Sequence, residues 1–167
     1  MKTVGFILLA IFLLLLLALI IGLCLPKTKT LTKESIYDAS VEEVYNVVIN
    51  NHDWKYRTSI DNLIIIETDG NFEVWDEISG GVTIRFKTKE KIPYSLYSFE
   101  MESNLFTGYW QAEFETAENG KTRFIATESI EYKNQFIRTL AFMFMNLDKL
   151  MEMYQDDLRK KINNDMN

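Results

Sequence analysis

The sequence predicts an α+β domain: an antiparallel sheet of about seven strands wrapped around a long C-terminal helix, preceded by one transmembrane helix. Three observations carry that expectation. From Ser59 to Tyr132 the apolar residues recur mostly with period two, and tight turns interrupt them at short spacing. From Asn134 to about Asn163 the period changes: Phe136, Leu140, Met143, Leu147, Leu150, Tyr154 and Leu158 step by three and four along one helical face. Ahead of both, Val4 to Leu25 is an unbroken uncharged run.

That first run covers about 33 Å as a helix, enough to cross a hydrocarbon core of about 30 Å. It is longer than the apolar core of a cleaved signal and lacks a small-x-small site after it. Residues 1–26 are therefore expected to form a retained single-pass anchor, and residues 27–167 the folded domain. Lys2 stands on one side of the run and Lys27, Lys29 and Lys33 on the other, so the side of the membrane is left undetermined. Cys24 lies within the run and reads as an apolar residue.

Pro26 ends the anchor, and Lys27 to Asp38 reads as a strand. Ser40 and Glu43 have capping-box spacing and open a helix to about Asn50, with Val44, Val47 and Val48 as its apolar side. His52 to Thr58 is expected as a helical turn or loop. Asp69-Gly70, Gly80-Gly81 and Asn119-Gly120 mark turns, the last being the strongest hairpin signal. No stretch between the strands is long enough for a crossover helix, so a parallel α/β sheet is not expected. The final helix, Asn134 to Asn163, contains no Gly or Pro, and its half from Leu140 to Leu147 is apolar almost all round. Such a helix needs cover on most sides, and the sheet is the expected cover.

Composition narrows the function. A chain of 167 residues with 13% aromatics holds one sizeable core. A net charge of −6 argues against a nucleic-acid partner. One cysteine and one histidine exclude an internal disulfide and the usual soft-ligand metal clusters, so no metal and no cofactor are expected.

Three segments carry a resemblance: Ile36 to Tyr45, IYDASVEEVY, a strand entering a helix; Asn51 to Trp54, NHDW, a short helix; and Gly120 to Phe124, GKTRF, a hairpin. With the order of elements, they resemble the first strand and helix, the second helix and the last hairpin of the helix-grip fold of the START-like, birch-pollen-allergen-like superfamily (SRPBCC), and its polyketide cyclase/dehydrase and lipid transport branch in particular. The likeness spans roughly Thr30 to Asn163. One departure is Tyr56-Arg57, where that branch often carries a second tryptophan. The resemblance implies a cavity between sheet and helix that holds an apolar ligand.

Cavity candidates are Trp54, Asp76, Phe86, Tyr94, Trp110, Phe114, Glu128, Leu140, Met143, Phe144 and Leu147. Methionines on the last helix suit an adaptable apolar pocket, and ordinary core packing is the plainer reading of any one of them. Asp76 shares a side with Phe72, Val74 and Ile78; Glu128 shares one with Phe124, Ala126 and Ile130; Glu100 shares one with Tyr94, Leu96 and Ser98. An inward carboxyl would have a raised pKa, and a single β-bulge would turn any of the three outward. Arg85, Lys87, Lys89 and Lys91 form a basic strand face, suited to anionic headgroups or simply to solvent. His52-Asp53 reads as surface. Phe136, Ile137 and Leu140 are candidate gate residues if the cavity mouth faces the membrane.

The expected function is binding of a lipid or other apolar small molecule by a membrane-anchored domain. The alternatives are a cyclase/dehydrase-type enzyme using a pocket carboxylate or a tyrosine such as Tyr94 or Tyr109, and an interaction module with a filled core. Catalytic residues and oligomeric state are not indicated.

Overall fold

The computed structural model describes residues 2–165. Helix α1 runs Lys2–Cys24 and is long and apolar enough to cross a membrane. After three intervening residues β1 begins (Thr28–Tyr37). Helix α2 (Val41–Val48) follows, then a 3-10 segment (Asn51–Tyr56). Next come β2 (Asn62–Asp69), β3 (Phe72–Ser79), β4 (Val82–Ile92), β5 (Leu96–Glu102), β6 (Phe106–Thr116) and β7 (Thr122–Tyr132). The chain ends with α3 (Gln135–Phe144) and α4 (Leu147–Asp165).

All seven strands form one antiparallel sheet in the order β1-β7-β6-β5-β4-β3-β2. Consecutive strands from β2 to β7 pair through hairpins, and β1 lies beside β7, with Thr28 opposite Glu131. The β3–β4 turn holds both Gly80 (φ 54°) and Gly81 (φ 80°) in the left-handed region, as a two-residue primed turn requires. Asn119 (φ 59°) and Gly120 (φ 74°) also take positive φ between β6 and β7, within a longer loop closed by Ala117 N–H donating to the Lys121 carbonyl. The capping box at α2 forms as its spacing predicts: Glu43 N–H donates to Ser40 Oγ, and Ser40 N–H donates to the Glu43 carboxylate at 2.8 Å.

The inner face of the sheet carries a continuous aromatic layer. Trp75 stacks on Phe86 at 5.2 Å between centroids, and Phe99 stacks on Trp110 at 4.8 Å. Helix α4 lies across this side and buries Leu147, Met151, Leu158 and Ile162. Polar groups fix its position. Gln155 accepts from Ser35 and donates to the Lys33 carbonyl, while the buried Asp157 accepts from Thr58 N–H and Oγ1 at 2.7 and 2.6 Å.

The single helix expected from Asn134 to Asn163 is two helices. Met145 has an extended backbone (φ −98°, ψ 116°), and Asn146 Oδ1 accepts from Lys149 N–H, capping α4 afresh. The expected sheet cover for the apolar half fails with it, because α3 packs chiefly on α1. Arg138 Nη1 donates to the Gly22 and Leu25 carbonyls at 2.8 and 3.1 Å, and Thr139 Oγ1 donates to the Ala18 carbonyl at 2.8 Å. Helix ends leave such carbonyls without partners, and the negative end of the helix dipole favours a cation there. Gly22 permits the contact: a Cβ at that position would strike the Gln135 carbonyl.

Candidate ligand cavity

Between the aromatic face and α4 the core is not filled. A cavity of about 370 Å³ remains, walled by Trp75, Phe86, Phe99 and Trp110 from the sheet, by Met145, Leu150, Met151 and Tyr154 from the helical side, and by Ala126 and Ile130 from β7. The strand ends locate its outer edge. Ser79, Val82, Leu105 and Met145 line it at one end of the sheet. Lys133 N–H donates to the Leu105 carbonyl and Tyr132 N–H to the Lys27 carbonyl, so that end is the one where the chain leaves α1.

Three charged groups reach this apolar space. Arg57 Nη1 donates to Glu77 Oε1 at 2.7 Å, and the indole N–H of Trp75 donates to the same oxygen at 3.0 Å. The pair is largely buried on both sides. Arg57 Nη2 is buried with no acceptor among the described residues. The Glu128 carboxyl lines the cavity with no ion pair or hydrogen bond to the described residues, and burial first, then repulsion from Glu77, pushes its pKa up to about 7.

The sequence candidates divide. Phe86, Trp110 and Glu128 line the cavity. Phe114 and Leu147 are buried in the surrounding core, and Trp54 packs on the outside of that core. Asp76 is on the outer face of β3, where Arg85 holds it in a two-point pair at 2.8 Å and keeps its pKa low. The inward residues of β3 are instead Trp75 and Glu77. Tyr94 stands exposed in a turn at φ 60° and meets Glu42. Leu140, Met143 and Phe144 lie off the cavity, on the exposed side of α3 with the gate candidate Phe136, while Ile137 is half-buried. Glu100 is outward and pairs with Lys89. The basic face of β4 is broken up: Arg85 and Lys89 are paired, and a bulge between Thr88 and Glu90 carries Lys91 over the Tyr97 ring. A second, open concavity of about 500 Å³ lies on the outer face among Arg85, Lys87, Glu100 and Glu102; three of these charges pair with neighbours outside its lining, Arg85 with Asp76, Glu100 with Lys89 and Glu102 with Lys133, and it is a charged, open groove. His52 is exposed, and Asp53 pairs with Lys161 rather than with it.

Sequence reasoning missed Arg57, Glu77 and Trp75. Arg57 had a signal, since it stands where the resembling branch departs from this chain. Glu77 had none, because its partner is 20 residues away in sequence.

A seven-stranded antiparallel sheet curled on a C-terminal helix, with a cavity between them, is the helix-grip fold. The chain is similar in structure to the Zhui aromatase/cyclase from Streptomyces sp. R1128, with a TM-score of 0.73 at 8% identity over 84% of this chain and 96% of that one. It is likewise similar to a protein of Thermus thermophilus (TM-score 0.69, 18% identity, 83% and 100% covered) and to a START superfamily protein from Mycobacterium smegmatis (0.65, 11%, 81% and 97%). No family model and no curated protein matches the sequence.

Proposed function

We propose that the protein is a membrane-anchored binding domain that takes a lipid or other apolar small molecule into the cavity beneath α4. The observation that carries this reading is the open core. A volume of about 370 Å³ is within the usual range for a small-molecule site. Aromatic and methionine walls suit an apolar body of variable shape. Arg57 Nη2 suits one acceptor on the ligand, and a protonated Glu128 suits a second. The cavity edge at Ser79, Val82, Leu105 and Met145 lies at the anchored end of the sheet, which favours loading from the bilayer that α1 spans.

Glu128 also favours a second reading, an enzyme of the cyclase/dehydrase type. A carboxyl with a pKa near 7 in an apolar site can both give and accept a proton at neutral pH. Under that reading Glu128→Gln retains the ligand and loses the reaction.

The test is native mass spectrometry of the full chain released from detergent or nanodiscs, followed by extraction and identification of what co-purifies. The expected result is one small apolar molecule per chain. A ligand-free spectrum, together with no uptake of a fluorescent fatty acid, rejects the reading.

A further inference from the structure

Helix α3 is built inside out. Its polar residues Arg138 and Thr139 are buried against α1, while Phe136, Leu140, Met143 and Phe144, spaced four, three and one apart along a single face, point outward. Leu140, Met143 and Phe144 are 57%, 64% and 78% exposed, in a domain that has a core available beside them. Water disfavours such a face; hydrocarbon does not. The contacts with α1 set its level. Thr139 meets Ala18 and Arg138 meets Gly22 and Leu25, so α3 runs beside the last two turns of the apolar run, within about 10 Å of its end. That is the depth at which amphipathic interfacial helices bury their apolar faces. Lys27 and Lys29 follow the end of the run, Lys29 with its Nζ 5.4 Å from the Phe142 ring centroid, and suit anionic headgroups.

We infer that α3 is a second membrane element, lying in the leaflet beside the end of α1 with Phe136, Leu140, Met143 and Phe144 in the acyl-chain boundary. The inference rests on the reading of α1 as a membrane span. It has a consequence for the cavity: Met145 lines the cavity and directly follows Phe144, so the leaflet and the cavity wall are separated by one peptide. The contacts of Arg138 keep the arrangement in place, since they satisfy the Gly22 and Leu25 carbonyls, which lipid would leave unpaired at the end of α1.

Depth-dependent quenching tests it on the full chain in liposomes of zwitterionic and anionic phospholipid. In a Cys24→Ser background, single cysteines at Phe144, Met143, Leu14 and Glu118 carry an environment-sensitive NBD label, and lipids with a nitroxide on the acyl chain act as quencher. Glu118 lies in the β6–β7 turn, at the end of the sheet away from α1 and about 33 Å along β7 from Tyr132. The expected result is about twofold or greater quenching at Phe144, Met143 and Leu14, with none at Glu118. If Leu14 is quenched while Phe144 and Met143 behave like Glu118, α3 is outside the bilayer and the inference falls while the anchor stands. A blue-shifted but unquenched label at Phe144 means that protein, such as a second copy of the chain, covers the face, and also overturns it. An unquenched Leu14 removes the membrane span itself.

Discussion

Arg57 and Glu77 form an ion pair of 2.7 Å at the wall of an apolar cavity, and the indole N–H of Trp75 completes the coordination of the same carboxylate oxygen. Breaking a largely buried pair leaves a desolvated charge, which typically costs about 3–5 kcal/mol, whereas replacing both partners by apolar residues is often nearly neutral. Arg57→Met and Glu77→Leu are each expected to lower stability by about 3 kcal/mol, and the double variant to recover most of the loss. Denaturant titration of the three proteins checks this; a double variant that loses the sum of the two singles would show that the pair is not coupled.

Glu128 makes stability depend on pH. Its folded pKa of about 7 lies above the ordinary carboxyl value of 4.5, so the folded state binds the proton more tightly than the unfolded chain. The contribution of the group to stability is fully present below pH 4.5, declines as pH rises to about 7, and is lost above it. The full loss would be about 3 kcal/mol, and cavity water screens part of it. Glu128→Gln is expected to be about 1–3 kcal/mol more stable than wild type at pH 8 relative to the same comparison at pH 4. Melting curves at both pH values measure the difference, and a pH-independent effect of the substitution would remove Glu128 as the titrating group.

Ala126 lines the cavity from β7 and is buried between β1 and β6. A leucine there has empty space to enter, so the usual overpacking cost of about 1–3 kcal/mol should be largely avoided. Ala126→Leu is therefore expected to keep the fold and melting temperature while reducing uptake of an apolar ligand about tenfold. Unchanged uptake of a fluorescent fatty acid would place ligand binding elsewhere.

Gly22 is the contact that lets α3 approach α1. Gly22→Leu is expected to separate the two helices. A pair of cysteines at Ala18 and Thr139, with Cys24→Ser, should crosslink under oxidation in the parent chain and lose most of that crosslink with leucine at position 22. Persistence of the crosslink would mean that the helices re-pack around the new side chain.

The fold was legible because hairpin chemistry and period two survive in any single strand: Gly80-Gly81 and Asn119-Gly120 adopt the positive φ values that their turns demand. The face of a strand was less legible. Along β7, Phe124, Ala126 and Ile130 marked the inner side, and Glu128 came with them. Along β3, both sides mix apolar and acidic residues, and Trp75 and Glu77 rather than Val74 and Asp76 turn inward because Arg57 arrives from a distant segment to neutralise Glu77. No local pattern encodes that partner. The break at Met145-Asn146 did leave a trace, since Asn146 with Asp148 two residues on is an N-cap followed by a first-turn acid. The apolar period running straight through it concealed the trace, because one half of that period faces the core and the other faces away.

The pairing of β1 with β7 governs when the domain can form. Thr28 and Glu131 are neighbours in the sheet yet stand at opposite ends of the strand sequence. During synthesis β2 to β6 can assemble progressively by hairpins, each closing a short loop. β1 cannot, and it stays an unpaired edge until β7 has been made. Through that interval α1 has already left the ribosome. If α1 enters lipid as proposed, this unpaired strand is held at the membrane surface, three residues from the helix, and nascent chains can meet edge to edge only within that surface.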